Sequence, residues 1–264
     1  LWDDAGKEYI DMGSGIAVNV LGYGNKAWTQ AVCEQANRLA HVSNLYYTQP
    51  QGELAKILCG RTGMKKVFFG NSGAEANECA SKVARKYSAD KHGENKRPVI
   101  VTLQNSFHGR TLATLAATGQ DSFHHDFGPF PEGFAYVAAG DLEGLKAVLD
   151  SQPVCAVMLE TVQGEGGVEP LKGDYLKAVR ELTAERDILM IVDEVQTGNG
   201  RTGTLFSYQR YDWVPDIATT AKGLAGGLPM GACLLGEKVK DTLTAGSHGS
   251  TFGGNPVCAA AALA

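Results

Sequence analysis

Residues 188–196 read ILMIVDEVQ, an apolar run that ends in two carboxylates. Consecutive apolar residues without polar alternation are typical of a strand that is buried on both faces of a parallel sheet. Asp193 then stands at the carboxyl end of that strand, at the edge of the sheet where ligands bind. A carboxylate there is costly to ionise, so Asp193 needs a hydrogen-bond donor or a cation. A protonated ring nitrogen is one candidate and a metal another; metal is discounted because no His/Cys cluster lies nearby.

Similar apolar runs alternate with amphipathic stretches along the chain. We predict strands at Lys66–Phe69, Pro98–Leu103, Ala135–Val137, Val154–Leu159 and Ile188–Val192, and a β-like piece at Lys7–Met12. We predict helices at Lys26–Leu39, Gly52–Arg61, Ala74–Tyr87, Leu112–Thr118, Leu142–Leu149 and Tyr175–Glu185. This alternation predicts an open α/β domain, with a mostly parallel central sheet covered by helices on both faces. We divide the chain into an N-terminal segment, residues 1–44, and a large domain, residues 45–264.

Composition excludes several classes of protein. The 264 residues contain 24 Lys and Arg against 29 Asp and Glu, a net charge of −5 without a basic stripe, which argues against a nucleic-acid partner. No apolar run approaches the ~20 residues that span a bilayer, so no membrane segment is expected. The six cysteines form no Cys-x-x-Cys pair, which favours a reducing, cytoplasmic compartment. The chain starts without Met and stops inside an Ala-rich run, so we expect a piece of a longer protein.

A candidate anion site follows the strand at Lys66–Phe69. Residues 70–74 read GNSGA and lead into a predicted helix, which Asn71 or Ser72 can cap. The free backbone amides of Gly73 and Ala74, with the helix dipole behind them, could hold a phosphate. An ordinary capped helix start is an equally good interpretation of this segment alone.

Two further strands are followed by groups that could contact a ligand. Phe107 could stack on a flat ligand, although core packing is its simpler role. Arg110 could bind a carboxylate through two parallel hydrogen bonds, although a surface ion pair is its simpler role. His108 is interpreted as a hydrogen-bond partner within the structure. Glu160 and Glu165 could be acid/base partners, but carboxylates near glycines are usually solvated loop residues.

Two features near the end of the chain point to different cofactors. Residues 198–203 satisfy the Gly-x-Gly-x-x-Gly spacing of dinucleotide folds, but residues 204–208 look extended or irregular where that motif needs a helix. We therefore interpret the match as accidental. Lys222 ends a short apolar strand, where a desolvated lysine has a lowered pKa and can act as a nucleophile. A solvated surface charge is the usual alternative.

One cofactor needs all these groups at once. Pyridoxal phosphate requires a Schiff-base lysine, a carboxylate for its ring nitrogen, a phosphate cup and a stacking group. The sequence also resembles the class III aminotransferases of fold type I, and within them the acetylornithine enzymes. The resemblance spans nearly the whole chain and rests on residues 15–19, 43–47, 71–78, 107–111, 163–167, 193–203, 221–224 and 249–256.

The resemblance implies roles around the cofactor. Lys222 would form the Schiff base and then move the proton, and Asp193 would keep the ring nitrogen protonated. Phe107 and Val195 would sandwich the ring, and Gln196 would bond its phenolic oxygen.

The cofactor's phosphate and the subunit interface involve further residues. Gly73 and Ala74 would hold the phosphate through backbone amides, helped by Ser72. Ser250 and Thr251 would reach across a dimer interface into the neighbouring site, which implies a homodimer. Glu160 is expected in the cofactor site as well.

The resemblance also implies how the substrate is held. Arg110 would bind the substrate carboxylate that is distant from the reacting amine. Glu165 would pair with an arginine near the C-terminus, and so gate the site between amino-acid substrates and glutamate. The family continues past residue 264 into a small C-terminal domain that supplies this arginine, so we expect that domain to be missing here.

Residues 15–19 guide the choice of substrate. They look like the acetylornithine and succinylornithine enzymes, whereas ornithine aminotransferases have a tyrosine around there. We therefore expect an N-acylated ornithine as amino donor and 2-oxoglutarate as acceptor, in arginine biosynthesis. Succinylornithine, ornithine and other ω-amino acids remain alternative donors. An NAD-dependent oxidoreductase and a non-catalytic fragment are the alternatives from other classes.

Overall fold

A seven-stranded sheet forms the centre of the computed structural model, which describes residues 1–264. Its strands are β1 (Lys66–Gly70), β2 (Val99–Leu103), β3 (Phe134–Val137), β4 (Val154–Leu159), β7 (Leu189–Asp193), β8 (Ile217–Thr220) and β9 (Gly231–Leu235); β5 (Val162–Gln163) and β6 (Glu169–Pro170) form a separate antiparallel pair. The strand order is β1-β9-β8-β7-β4-β2-β3. Only β9 is antiparallel to its neighbours, β1 and β8. The predicted mostly parallel sheet is confirmed, whereas β9 was not predicted.

Eight α-helices flank this sheet. They are α1 (Ser14–Ala17), α2 (Lys26–Arg38), α3 (Gln49–Thr62), α4 (Gly73–His92), α5 (Leu112–Ala117), α6 (Leu142–Ser151), α7 (Gly173–Glu185) and α8 (Pro256–Leu263). Each predicted helix is present, with ends that differ by up to five residues: α4 runs to His92, past the predicted Tyr87. No helix is both long and apolar enough to cross a membrane.

The predicted β-like piece at Lys7–Met12 forms only in part. The only pairing there is a single antiparallel bridge between Trp2 and Glu8, and no named strand includes the segment. An extended segment becomes a stable strand only when neighbours satisfy its backbone and cover one of its faces. Here most of the side chains are exposed.

The sheet is buried on both faces because its strands supply side chains alternately to two apolar clusters. In β7, Met190 and Val192 belong to the larger cluster, and Leu189 and Ile191 belong to the smaller one under α4. Side chains alternate across a strand with a period of two. The run at residues 188–192 is therefore apolar throughout, and the same alternation carries Asp193 toward the α4 side.

Helix α2 of the N-terminal residues packs against α8 and against the turn that follows β8. Trp28 of α2 donates a hydrogen bond from Nε1 to the backbone oxygen of Ala225 at 3.0 Å. Gly226 leaves room for this ring, since a Cβ there would lie 2.8 Å from Trp28 Nε1. The division of the chain between residues 44 and 45 stays a prediction.

Candidate active site

A cavity of about 430 Å³ opens at the carboxyl edge of the parallel strands. This is the edge where open α/β sheets bind ligands, and the volume lies in the ~300–1,000 Å³ range of small-molecule sites. All the predicted site residues line this cavity except Ser250 and Thr251. Loops that follow β1, β2, β4, β7 and β8 bring them together from widely separated parts of the chain.

Asp193 is the most deeply buried acid that was predicted for this cavity. Its Oδ2 atom accepts hydrogen bonds from Asn77 Nδ2 and His108 Nδ1, each at 2.8 Å. Its Oδ1 atom accepts one from the backbone N–H of Val195 at 2.9 Å. Three donors therefore satisfy and orient a carboxylate that faces the cavity, and no lysine or arginine is paired with it.

His108 is completely buried against Asp193. Burial alone would lower the pKa of its imidazole. The hydrogen bond to Asp193 and the negative charges of Asp193 and Glu160 together outweigh burial, so the pKa is raised. Its Nε2 atom has no hydrogen-bond partner. The interpretation of His108 as a hydrogen-bond partner is confirmed, and its target is the carboxylate that the cavity exposes.

Lys222 follows β8 and is half-buried in the cavity wall. Burial lowers the pKa of its ammonium group, although the charges of Asp193, Glu160 and Glu165 oppose that shift. Its backbone has φ = 48°, in the left-handed region that favours glycine. A non-glycine residue held there is strained, and such strain concentrates at functional sites.

The phosphate cradle predicted at Ser72–Ala74 is the N-terminus of α4, a helix of 20 residues. Ser72 caps the helix, accepting a hydrogen bond at Oγ from the backbone N–H of Glu75 at 3.1 Å. Gly73 is needed because a Cβ there would lie 2.7 Å from Val195 Cγ1. The backbone of the first turn and the Val195 side chain thus form adjoining walls of the cavity.

Glu160 lies behind Phe107. Its carboxylate accepts hydrogen bonds from the backbone N–H groups of Phe107 at 3.0 Å and of Gly164 at 3.2 Å. Burial raises the pKa of Glu160 to about 7; the positive charge of His108 opposes the shift and the negative charge of Asp193 reinforces it. Glu160 therefore ties the loop after β2 to the loop after β4.

Gln196 lies against the loop after β4. A Cβ at Gly164 would clash with Gln196 Oε1, so a larger residue at that position would displace the Gln196 side chain. Phe107 and Val195 line the same cavity from the loops after β2 and β7, as a pair that sandwiches a flat ring would have to do.

Arg110 and Glu165 are exposed side chains that line the cavity beside these groups. The Arg110 guanidinium carbon lies 4.1 Å from the centre of the Phe123 ring and 5.4 Å from that of Phe107. Glu165 accepts a hydrogen bond from Gln120 Nε2 at 3.0 Å. The surface ion pair that was the simpler alternative for Arg110 does not form.

Ser250 and Thr251 do not line this cavity. Ser250 Oγ accepts hydrogen bonds from Asn71 Nδ2 and from the backbone N–H of Gly253, each at 3.1 Å, and Thr251 is exposed. The glycine-spaced stretch at residues 198–203 forms turns, and the next helical residues are the 3₁₀ turn Ser207–Arg210. No helix opens on its third glycine, as a dinucleotide site would require.

Asn77, Gln120 and Phe123 were not predicted as site residues. Asn77 could have been found, because it lies one helical turn after Gly73 and so shares its face of α4. Gln120 and Phe123 follow no strand and carry no periodic signal. Their importance depends on Glu165 and Arg110, which reach them from other loops.

Comparison with known proteins agrees with this geometry. The family model described as Aminotransferase class-III matches residues 1–264. The chain belongs to this family. Membership of the class III aminotransferases implies pyridoxal phosphate as the cofactor.

Three relatives are particularly informative. Acetylornithine aminotransferase from Haemophilus ducreyi is 57% identical over 100% of this chain and 67% of its own length. Succinylornithine transaminase from Salmonella typhimurium is 50% identical over 99% of this chain and 64% of its own length. The structure of ornithine aminotransferase from Toxoplasma gondii, described as having partial occupancy of PLP at the active site, superposes with a TM-score of 0.94 at 35% identity, covering 99% and 63% of the two chains. The chain thus spans about two thirds of the length of these class III aminotransferases.

The residues present fit pyridoxal phosphate. A half-buried lysine with a lowered pKa and a buried carboxylate without a lysine or arginine partner line one cavity. In the same cavity, the N-terminus of α4 offers backbone amides to an anion. A Cβ at Gly73 would narrow the space beside these amides. The sheet matches the large-domain fold that the resemblance implied.

Proposed function

We propose that this protein transfers the δ-amino group of N-acetylornithine to 2-oxoglutarate, giving N-acetylglutamate semialdehyde and glutamate, in arginine biosynthesis. The observation that carries the proposal is the arrangement of Lys222 and Asp193 on one cavity, after the adjacent strands β8 and β7. The names of the curated relatives at 50–57% identity support N-acylated ornithine as the donor class.

The chain's own groups divide the work of such a reaction. Pyridoxal phosphate, when bound, supplies a carbonyl group that accepts an amine and a ring that delocalises the electron pair released on proton removal. The lowered pKa of Lys222 gives a larger fraction of free amine at neutral pH, as a nucleophile and proton carrier requires. Asp193, held by Asn77 and His108, offers a fixed negative charge to a protonated ring nitrogen.

Other residues would bind and orient the cofactor. Ser72, Gly73 and Ala74 are proposed to hold the cofactor's phosphate, since they form the capped start of α4. Phe107 and Val195 are proposed to enclose the cofactor ring, and both line the cavity.

Two polar residues complete the proposed cofactor site. Gln196 would donate to the ring's phenolic oxygen. Glu160, which binds the backbone N–H of Phe107, would fix the position of the Phe107 ring.

The substrate is proposed to bind at the mouth of the cavity. Arg110 would take the carboxylate distant from the reacting amine, because its guanidinium is exposed there and no carboxylate of this chain occupies it. Glu165 would help the site to distinguish the amino donor from glutamate, because its negative charge faces the same opening.

We further propose a cytoplasmic homodimer in which Ser250 and Thr251 serve the neighbouring site. Asn44 Nδ2 donates hydrogen bonds to the backbone oxygens of Ser250 and Gly253, which joins residues 43–47 to the loop that carries Ser250. Several large apolar side chains on this joined surface are exposed: Leu45, Tyr46, Tyr47 and Phe252. An apolar surface of this kind supports a protein interface. Molar mass from light scattering tests the dimer.

Transamination assays with a panel of donors test the activity. The protein, loaded with pyridoxal phosphate and given 2-oxoglutarate, should form glutamate from N-acetylornithine or N-succinylornithine with kcat/KM at least tenfold above that for ornithine. The order of the two acyl donors decides between the acetyl and succinyl assignments. A preference for ornithine would overturn the proposed donor class, and cofactor binding without turnover would identify a non-catalytic protein.

A further inference from the structure

Arg110 and Glu165 carry opposite charges and line the same cavity, yet no ion pair joins them. If they paired, the guanidinium would no longer be available to a substrate carboxylate. Each has instead a different partner, and both partners belong to one short segment, residues 120–123, which we name the 120–123 segment. Its last three residues, Asp121–Phe123, form a 3₁₀ turn.

Phe123 holds the arginine. The Arg110 guanidinium carbon lies 4.1 Å above the Phe123 ring centre, well inside the ~6 Å reach of a cation–π interaction. The Phe123 ring is fixed in turn by an edge-to-face contact with Phe107, at 5.8 Å between ring centres and 80° between ring planes. A guanidinium that lies on a ring keeps its in-plane N–H groups free to bind a carboxylate.

Gln120 holds the glutamate. Its Nε2 group donates to Glu165 Oε2 at 3.0 Å and to the backbone oxygen of Ser106 at 3.1 Å. Ser106 is fully buried, and its Oγ accepts a hydrogen bond from the backbone N–H of Gly119 at 3.1 Å. The amide that binds Glu165 is thus anchored to the interior of the fold.

We propose that the 120–123 segment determines specificity for substrates with a carboxylate distant from the reacting amine. Phe123 and Gln120 are positioning residues, which keep Arg110 and Glu165 apart so that the guanidinium is presented to the substrate. The inference rests on the proposed function for the identity of the substrate. It concerns a carboxylate site that can be measured without turnover.

The first test is binding of glutarate, a dicarboxylate without an amine or keto group, to the cofactor-loaded protein by calorimetry. Phe123→Leu keeps an apolar side chain against Phe107 but removes the ring beneath Arg110, and we expect the glutarate Kd to rise about three- to tenfold. Phe123→Tyr keeps the ring and should restore binding to within twofold. Phe127→Leu, an exposed phenylalanine nearby, is the matched control. The Kd of glutaramide, the neutral analogue, should be the same for every variant as for the wild-type protein.

The second test separates Gln120 from a merely structural role. Gln120→Ala releases Glu165 to approach Arg110, so the glutarate Kd and the donor KM should rise at least threefold while kcat changes less than twofold. Adding Glu165→Gln removes the competing charge. The double variant should therefore match the Glu165→Gln variant within twofold.

The outcomes distinguish the two proposals. Failure of the wild-type protein to transaminate N-acylornithines would overturn the proposed function, while glutarate binding would still test the 120–123 segment. The inference is overturned if wild-type protein binds glutarate no better than glutaramide. It is also overturned if Phe123→Leu and Gln120→Ala leave the glutarate Kd within twofold, or if Glu165→Gln fails to cancel the effect of Gln120→Ala.

Discussion

The Nδ1 atom of His108 lies 2.8 Å from the Oδ2 atom of Asp193, and both side chains are shielded from solvent. Asn77 donates to the same oxygen, so the carboxylate is fixed from the α4 side and from the loop after β2. A charge-assisted hydrogen bond in a buried site is stronger than one at the surface. The orientation of the carboxylate that the cavity presents therefore depends on a histidine outside the proposed catalytic pair.

This contact predicts a pH-dependent contribution to stability. The raised pKa of His108 means that the folded protein holds the proton to a higher pH than the unfolded chain, whose histidines titrate near ~6.5. The stabilisation is complete below that value and is lost as pH rises through the folded pKa. His108→Asn should lower the free energy of unfolding by roughly 1–3 kcal/mol at pH 6, and by less at pH 9. Urea unfolding of both proteins measures this, with the exposed His125→Asn as control; a difference that does not change with pH would contradict the prediction.

Lys222 is predicted to carry the covalent bond to the cofactor. Lys222→Ala should abolish the label that borohydride fixes to the protein in the presence of pyridoxal phosphate, and lower kcat at least about a thousandfold. Peptide mass mapping locates the label. Lys177→Ala, which removes a lysine on the exposed face of α7, should keep both label and rate. A label that persists at another lysine would refute the assignment.

Gly73 is predicted to be essential for cofactor affinity. In Gly73→Ala the new Cβ would lie 2.7 and 2.9 Å from the two Cγ atoms of Val195, so the side chain or the helix start must shift. Such overpacking costs about 1–3 kcal/mol, and the Kd for pyridoxal phosphate should rise about tenfold or more. Fluorescence titration measures it. Gly52→Ala in α3, where a Cβ meets nothing within 4 Å, should leave the Kd unchanged.

Glu160 is predicted to titrate near neutral pH. Its raised pKa, about 7, means that the folded protein binds this proton where the unfolded chain has released it, so stability falls as pH rises from about 4.5 to 7. Relative to Glu160→Gln, the wild-type free energy of unfolding should fall by roughly 3 kcal/mol over that interval. Urea unfolding at pH 4.5 and 7.5 tests this, with Glu185→Gln as an exposed control. Parallel curves for wild type and Glu160→Gln would show that the group titrates normally.

Much of the fold and of the candidate site follows from local sequence. The apolar run at residues 188–192 predicts a strand because both faces of the sheet are covered, and Asp193 and Lys222 then fall at one edge by topology alone. The pattern also explains Glu194, whose side chain turns away from Asp193 and accepts four hydrogen bonds from Thr197, Ser207 and Tyr208.

The features that were not predicted depend on distant parts of the chain. Strand β9 begins and ends near glycines, which are typical of turns, and it is defined by pairing with β1 and β8. The bridge between Trp2 and Glu8 stays isolated for the opposite reason, because no strand lies beside it. Gln120 and Phe123 could not be predicted because their roles depend on contacts with Glu165 and Arg110, which lie on other loops.

The left-handed backbone of Lys222 lowers the stability of the fold at the residue that supplies the proposed reactive amine. For an L-residue this conformation costs about 1–2 kcal/mol, which glycine would not incur. With the cofactor absent, Lys222→Gly should therefore unfold at the same or a higher temperature than the wild type, even though it removes the proposed reactive amine. Thermal stability alone would therefore favour glycine at this position, whereas the proposed chemistry requires the lysine.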